Sequence, residues 1–227
     1  MTETEIQLSK ITRIIQRKVL EEGCDFWMLD SKKVIGLDTD ALLPLLGHQS
    51  QERYAKIYRK ERREQFLLGR ILLKHALSDT LGIEADRISF HENSSTSPTL
   101  LVDGKGTQNI HFNLSHSRHF IACATSTQKP VGLDIEWRDD TRDIDGSVAL
   151  ALLENERQWL KNQPPEQKNN GFYTLWTRKE ACYKCLSSQD STPENKGFYR
   201  IDSLDSRLGK WESWMQAHLA ISVFKPS

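Results

Sequence analysis

The chain has 227 residues, of which 37% are hydrophobic and 27% charged, and its 31 basic and 31 acidic residues balance to a formal net charge of zero. This composition is typical of a globular protein and excludes a strong overall attraction to nucleic acid or to an anionic membrane. No apolar run reaches the roughly 18–20 residues that a membrane span requires, and the acidic N-terminus lacks the apolar core of a signal peptide. We therefore expect a cytoplasmic protein of one large or two small domains.

The first half of the sequence predicts two helices with a strand between them. Residues 6–20 carry apolar side chains at helical spacing and are followed by Gly23, so a helix capped by that glycine is expected. Residues 26–29 (FWML) are predicted to form a short buried strand. A long helical pattern follows over residues 51–81 and ends at Gly82.

The start of this long helix is strongly basic. Only three acids, at positions 52, 61 and 64, accompany eight basic residues, which are Arg53, Lys56, Arg59, Lys60, Arg62, Arg63, Arg70 and Lys74. A solvated helix face and a binding site for a compact anion both explain such a segment.

The later elements alternate between strands and helices. Turns are predicted at residues 104–106 and 115–117, and strands over 110–114, 120–124 and 131–137. Helical periodicity covers residues 148–160 and 172–186, while 162–171 reads as a loop because it contains two adjacent prolines. Residues 218–224 are predicted to form a final strand.

Two strands share a sequence pattern. Residues 119–125 (HFIACAT) and 218–224 (HLAISVF) each place a histidine before an apolar run, and each comes near the end of one half of the chain. This pattern indicates duplication of one α+β unit, with a break near residues 128–130 and a cleft where the copies meet.

Residues 131–137 (VGLDIEW) place two carboxylates on one face of a strand. Because side chains alternate along a strand, Asp134 and Glu136 share a face with Gly132, about 6–7 Å apart. Two carboxylates at that spacing can share one hard cation, and the glycine would leave room for a ligand near the backbone. An exposed strand with two solvated acids is the alternative.

Residues 176–184 (WTRKEACYK) place Trp176, Glu180 and Lys184 on one helical stripe. Most Glu–Lys pairs at this spacing are ordinary surface pairs worth a few tenths of a kcal/mol. The tryptophan on the same stripe favours burial, and a buried carboxylate and ammonium imply partners in a cleft. The nearby Cys182 and Cys185 lack a second pair that would complete a zinc site, so the four cysteines are expected to be reduced structural thiols.

Residues 112–117 (FNLSHS) bring hydroxyl groups and an imidazole to the end of a strand, where they suit phosphate oxygens. A Ser–His pair also occurs in hydrolases, but the sequence contains no G-x-S-x-G nucleophile motif.

These three segments, in this order and at this spacing, resemble the 4′-phosphopantetheinyl transferases of the two-half, monomeric Sfp-like class. The family pattern is F-N-x-S-H-S, then V-G-x-D-I-E, then W-x-x-K-E-A-x-x-K, and residues 66–70 (FLLGR) resemble its upstream phosphate-contacting helix. The resemblance implies an α+β fold of two similar subdomains related by a pseudo-twofold axis, each with a small antiparallel sheet packed against a long helix. Residues 1–128 would contact coenzyme A, and residues 129–227 would carry the metal ligands and the base.

The resemblance also implies roles for individual residues. Asp134, Glu136 and Glu180 would bind Mg²⁺, and Glu180 would accept the proton of the carrier serine. With Asp134 and Glu180, Lys184 would complete the catalytic set and contact the phosphates of coenzyme A.

Five further residues are implied in binding coenzyme A. His116 would contact its phosphates with Ser115 nearby, Lys105 would lie near the nucleotide, and Arg63 and Arg70 would meet the 3′-phosphate. Two positions depart from the family pattern: Gly106 replaces the usual proline, and residues 185–188 (CLSS) replace the usual glycines.

The implied activity is Mg²⁺-dependent transfer of 4′-phosphopantetheine from coenzyme A to a serine of an apo carrier protein, with release of 3′,5′-adenosine bisphosphate. A Mg²⁺-dependent phosphohydrolase using the same acids, or a protein that binds coenzyme A or a carrier without turnover, are the alternatives. The carrier can be of the acyl, polyketide or peptidyl type, and no nucleic-acid or membrane partner is expected.

Overall fold

A computed structural model describes residues 1–93, 97–107, 110–141, 144–188 and 197–227. The chain is a mixed α+β protein with antiparallel sheets, as expected, and it divides into two compact units, Met1–Gln128 and Lys129–Ser227. Within the described ranges, no helix is both long and apolar enough to cross a membrane.

The first unit is built on a four-stranded antiparallel sheet in the order β1-β2-β7-β6. Its strands are β1 (Gln16–Glu21), β2 (Cys24–Asp30), β6 (His111–Ser117) and β7 (Phe120–Ser126). A second sheet, in the order β3-β4-β5, contains β3 (Ile88–His91), β4 (Thr99–Val102) and β5 (Lys105–Gly106). The helices of this unit are α1 (Glu3–Thr12), α2 (Thr39–Leu42), α3 (His48–Ala55) and α4 (Lys60–Leu81).

Helix α4 packs on β7 and β2 because its central residues are almost all apolar. Leu67, Leu72 and Leu73 have no exposed surface and belong to the core of the unit. The helix ends at Gly82, whose positive φ of 64° forms the C-cap expected from the sequence.

The second unit contains a three-stranded antiparallel sheet in the order β8-β10-β9. Its strands are β8 (Gly132–Trp137), β9 (Gly209–Gln216) and β10 (Leu219–Pro226), and its helices are α5 (Ile144–Ala151), α6 (Glu154–Lys161) and α7 (Pro165–Ser187). Helix α7 packs on β8 and β10.

The two units share one topology. In each, a strand (β2 or β8) precedes the long helix (α4 or α7), and a hairpin follows whose second strand lies at the centre of the sheet. The hairpin turns also match, because Arg118 and Ala217 both have a positive φ, 52° and 53°, just before His119 and His218. This shared order of elements supports the duplication inferred from the two histidine-led strands.

The N-terminal helix prediction was wrong in its extent. Helix α1 ends at Thr12, and residues 16–21 form β1 instead, while Gly23 turns the chain between β1 and β2. Pairing with β2, in which Gln16 lies opposite Met28, decides the conformation of this segment over its local helical periodicity. The strand is an exposed edge, and its Val19 is 62% exposed.

The boundaries of several other elements also differ from the predictions. The helix expected over residues 51–81 is interrupted between α3 and α4, and that expected over 148–160 is divided into α5 and α6. Helix α7 begins at Pro165, inside the predicted loop, because a proline in the first helical turn loses no hydrogen bond. The turn expected at residues 115–117 lies instead at Arg118 and His119. The turn expected at 104–106 lies at Asp103 and Gly104, because Lys105 and Gly106 pair with β4. Helix α2 and strands β3, β4 and β9 were not predicted.

Candidate active site

Asp134 lies on the face of β8 that is covered by helix α7. It sits directly opposite Ser222 of β10 in the antiparallel register, so both side chains point to the same side of the sheet. The Ser222 hydroxyl is 2.8 Å from the Thr177 hydroxyl of α7. Asp134 is therefore beneath the helix and only 5% exposed. Leu133 and Ile135 alternate to the opposite face and are fully buried, as the strand pattern predicted.

Gly132 was expected to leave room for a ligand, but it allows close packing of helix α7 instead. A Cβ atom at this position would overlap the carbonyl oxygen of Ala181 and lie 2.8 Å from the Cβ of Cys185, both on α7. The absent side chain therefore makes room for the helix and not for a ligand. This close approach brings the motif residues of α7 next to the carboxylates of β8.

Lys184 of α7 contacts Asp134 of β8. Its Nζ donates a hydrogen bond of 2.6 Å to Asp134 Oδ1 and a longer one of 3.4 Å to the Leu133 carbonyl oxygen. The Asp134 side chain is 6% exposed and the Lys184 side chain 30%. Strand and helix thus join two motifs that are 50 residues apart in sequence.

Glu180 lies one helical turn before Lys184, and both carboxylates of β8 affect its pKa. Burial raises its pKa above the ordinary value, the negative charges of Asp134 and Glu136 raise it further, and the Lys184 ammonium partly opposes them. Asp134, Glu136 and Glu180 therefore share one electrostatic environment. The neighbouring Trp176 is half-buried against the rings of Phe172 and Phe198, as its place on the stripe predicted.

The donor set of this site fits a hard divalent cation. Mg²⁺ prefers carboxylate oxygens, and the three acids supply them. Across the part of the chain that the structure describes, however, no group of three or more His, Cys, Asp or Glu side chains already has a metal-binding arrangement. The ammonium group of Lys184 contacts the Asp134 carboxylate instead. Convergence of the three acids on one cation stays a prediction.

All four cysteines are buried and none of them forms a disulfide bond, as expected for structural thiols. Burial raises the pKa of Cys123 far above its ordinary value, which keeps it protonated.

In the first unit, Ser115 and His116 point to opposite faces of β6. Ser115 is 7% exposed, whereas His116 is exposed, because consecutive residues of a strand alternate. The two side chains therefore do not form the Ser–His pair that a hydrolase needs. His116 Nε2 instead lies 2.7 Å from an Nη atom of Arg62, a residue not assigned to the site from the sequence.

The remaining predicted coenzyme A contacts are distributed between surface and interior. Lys105 is exposed on β5, and Gly106 faces open space. Arg63 donates to the Ile57 carbonyl oxygen at 2.6 Å and stacks over Tyr54. Arg70 is only 6% exposed, and its position inside the unit gives it a structural task in place of an open phosphate contact.

Glu92 accounts for the burial of Arg70. Its carboxylate accepts two hydrogen bonds of 2.7 Å from Arg70, one of 3.1 Å from Arg53 and one of 2.6 Å from Ser50. Burial alone would raise the pKa of Glu92, but the hydrogen bonds and positive charges of its partners outweigh burial and lower it. The excess of arginines over acids in residues 52–74 was the only sequence signal that a distant acid was needed.

The basic segment therefore contains two kinds of residue. Arg53 and Arg70 neutralise Glu92, and Lys74 donates to the Leu45 carbonyl oxygen at 2.9 Å. The exposed residues are those around the start of α4, namely Lys56, Arg59, Lys60 and Arg62. An anion-binding role is thus restricted to this end of the segment.

Lys179, in the same motif as Glu180, is also structural. It has no exposed surface and forms an ion pair of 2.8 Å with the equally buried Glu156 of α6. Glu156 also accepts hydrogen bonds from the backbone N–H groups of Leu153 and Ser203 and from the Ser203 hydroxyl. This network ties α6 and the segment around Ser203 to α7, and sequence spacing did not reveal it.

Comparison with known families places both units in one superfamily. Residues 130–213 match the 4′-phosphopantetheinyl transferase superfamily, and residues 37–128 match the N-terminal domain of 4′-phosphopantetheinyl transferases. These two matches fall on either side of residue 129.

Individual relatives agree. The chain is 33% identical over 164 residues to the 4′-phosphopantetheinyl transferase AcpT of Salmonella typhimurium, covering 70% of this chain and 72% of the relative. It is 32% identical over 143 residues to HetI of Nostoc sp., covering 63% and 60%, and 31% identical over 151 residues to gsp of Aneurinibacillus migulanus, covering 66% and 60%. The matched part thus spans about 60% of the length of HetI and gsp.

The protein is therefore of the α+β class, with two units of like topology, and its second unit carries a site of acids and a lysine. The chain is a member of the 4′-phosphopantetheinyl transferase superfamily.

Proposed function

We propose that this protein transfers 4′-phosphopantetheine from coenzyme A to a serine hydroxyl of an apo carrier protein, in a Mg²⁺-dependent reaction that releases 3′,5′-adenosine bisphosphate. The observation that carries the proposal is the arrangement on β8 and α7. There, Lys184 contacts Asp134 at 2.6 Å, and Glu180 has a pKa raised by burial and by both neighbouring acids. Family membership supports the same chemistry.

In the proposed transfer, the residues of the second unit have separate roles, and Glu180 is the base. Glu180 would accept the proton of the carrier serine as its oxygen forms a bond to the β-phosphorus of coenzyme A. The bond from that phosphorus to the departing bisphosphate breaks in the same process. A carboxylate whose proton affinity is raised is a better base, and such assistance typically contributes about 10²–10⁴-fold to the rate.

Cations are required because the substrate carries several negative charges. Asp134, Glu136 and Glu180 would hold Mg²⁺, which supplies charge neutralisation at the pyrophosphate. Lys184, whose side chain near the end of α7 is 30% exposed, would contact a phosphate oxygen. In the first unit, the exposed His116, Arg62 and Lys105 are proposed to bind the remaining phosphates and the nucleotide.

Mass spectrometry of candidate carriers tests this function. The protein is incubated with coenzyme A, Mg²⁺ and a panel of apo carriers of the acyl, polyketide and peptidyl types. A mass gain of one phosphopantetheine on at least one carrier, dependent on Mg²⁺, is expected. Release of bisphosphate without a carrier would identify a phosphohydrolase, and binding of coenzyme A without any transfer would identify a non-catalytic protein. The monomeric state and the cytoplasmic location stay predictions.

A further inference from the structure

The Asp134–Lys184 contact has an unequal burial that suggests how the site controls cation binding. The carboxylate is 6% exposed and the lysine side chain 30% exposed. A carboxylate this deeply buried is costly unless a positive charge accompanies it. Lys184 supplies that charge from the more exposed side.

The position of the ammonium is determined by packing. Gly132 allows α7 to approach β8, and Lys184 lies one turn beyond Ala181, whose carbonyl oxygen faces Gly132. The Nζ atom also reaches the Leu133 carbonyl oxygen at 3.4 Å. The lysine is therefore directed at the strand carrying Asp134.

The charges around Asp134 favour exchange of the Lys184 ammonium group for a divalent metal ion. Asp134, Glu136 and Glu180 are three carboxylates and Lys184 is one ammonium group, so the formal charges of the four side chains sum to −2. A divalent cation suits that sum, but it has to share Asp134 with an ammonium that repels it. Lysine has a flexible four-carbon stem and a strongly hydrated head, so its partly exposed side chain can move to another anion without unfolding the helix.

We propose that Lys184 is an internal counter-ion for Asp134, which weakens metal binding until the pyrophosphate of coenzyme A takes over its ammonium group. This inference rests on the metal site of the proposed function and adds a coupling between the two ligands. Lys184 then acts as a positioning residue before coenzyme A binds and as a phosphate contact afterwards. Metal and coenzyme A bind with positive cooperativity, because each removes an obstacle to the other.

Direct measurement of Mn²⁺ binding tests the coupling without relying on turnover. Free Mn²⁺ is quantified by electron paramagnetic resonance in titrations of the wild type and of Lys184→Met, each with and without coenzyme A, with coenzyme A alone as the blank. Lys161→Met, at an exposed lysine ending α6, is the control for the change in net charge.

Without coenzyme A, Lys184→Met is expected to bind Mn²⁺ at least about tenfold more tightly than the wild type, within the usual range of coupling between sites. The factor by which coenzyme A tightens Mn²⁺ binding should be smaller in Lys184→Met than in the wild type, and Lys161→Met should behave like the wild type.

Equal or weaker Mn²⁺ binding by Lys184→Met, at a site that Asp134→Asn removes, would overturn the counter-ion role and leave the metal site intact. Absence of Mn²⁺ binding in every variant, even with coenzyme A, would overturn both this inference and the metal part of the proposed function. Carrier modification by the wild type, measured separately by mass, distinguishes failure of the coupling from failure of the transferase assignment.

Discussion

Gly132 on β8 faces the carbonyl oxygen of Ala181 on α7 so closely that no side chain fits between strand and helix. This contact sets the distance between the acids of β8 and the residues of α7. It places Lys184 Nζ 2.6 Å from Asp134 Oδ1. The arrangement of Asp134 and Lys184 therefore depends on a residue that has no side chain.

Gly132→Ala is expected to displace α7 and to separate Lys184 from Asp134. Overpacking at a buried contact typically costs about 1–3 kcal/mol, and carrier modification should fall steeply. Denaturant unfolding and the mass assay measure the two effects. Gly106→Ala is the matched control, because a Cβ there meets open space, and it should leave both unchanged. Normal activity in Gly132→Ala would show that the helix position tolerates movement.

Asp134→Ala should abolish transfer while the protein stays folded. The substitution removes a proposed metal ligand, and the Lys184 side chain, at 30% exposure, can turn to water. Circular dichroism checks the fold, and mass spectrometry of the carrier checks the activity. Asp140→Ala, at an acid that is 56% exposed and pairs with Arg138, serves as the control and should be active. Turnover near that of the wild type in Asp134→Ala would refute the metal assignment.

Glu92→Gln should destabilise the first unit at neutral pH. The variant leaves the buried Arg70 without its counter-charge, and breaking a buried pair costs about 3–5 kcal/mol. Because the folded state lowers the pKa of Glu92, the stability it contributes is present above the unfolded value of about 4.5 and is lost as the pH falls through the folded value. The difference from the wild type should therefore shrink below about pH 4.5.

Urea unfolding from pH 7 to pH 3 measures this dependence. Glu22→Gln, at an exposed glutamate of the same unit, should follow the wild type throughout. A destabilisation by Glu92→Gln that does not change with pH would indicate lost packing in place of lost charge.

Lys179→Met is expected to destabilise the second unit, because it leaves the Glu156 carboxylate buried without a cation. The expected cost is about 3–5 kcal/mol, and adding Glu156→Gln should recover part of it, since the amide keeps an acceptor for the backbone donors. Chemical denaturation of the single and double variants measures both values. Lys161→Met should change stability by less than about 0.5 kcal/mol. A single-variant cost below about 1 kcal/mol would contradict the structural role.

Coenzyme A with Mg²⁺ should protect the protein against heat. A ligand that binds only the native state at a hundred times its Kd adds about 2.7 kcal/mol of stability. Thermal unfolding with each ligand alone and with both together measures the effect, which should be largest with both. No shift at millimolar coenzyme A and Mg²⁺ would count against the proposed substrate.

Short-range sequence patterns located much of the scaffold. The alternation in residues 131–137 predicted β8 and its buried and acidic faces, and Gly82 correctly marked the end of α4. Such features depend on the residues themselves and their immediate neighbours. Strand β1 was misread as helix because pairing with the neighbouring strand β2, and not the local periodicity of residues 16–21, decides the conformation of this exposed edge.

By itself, the sequence determined the class of protein and which residues carry charge, since those follow from residue identity and local spacing. The tertiary structure alone decided which charges meet: Arg70 with Glu92, Lys179 with Glu156 and Lys184 with Asp134. Each pair joins residues at least 22 positions apart. Ionic interactions of this kind depend on distance and burial, and both are set by how strands and helices pack.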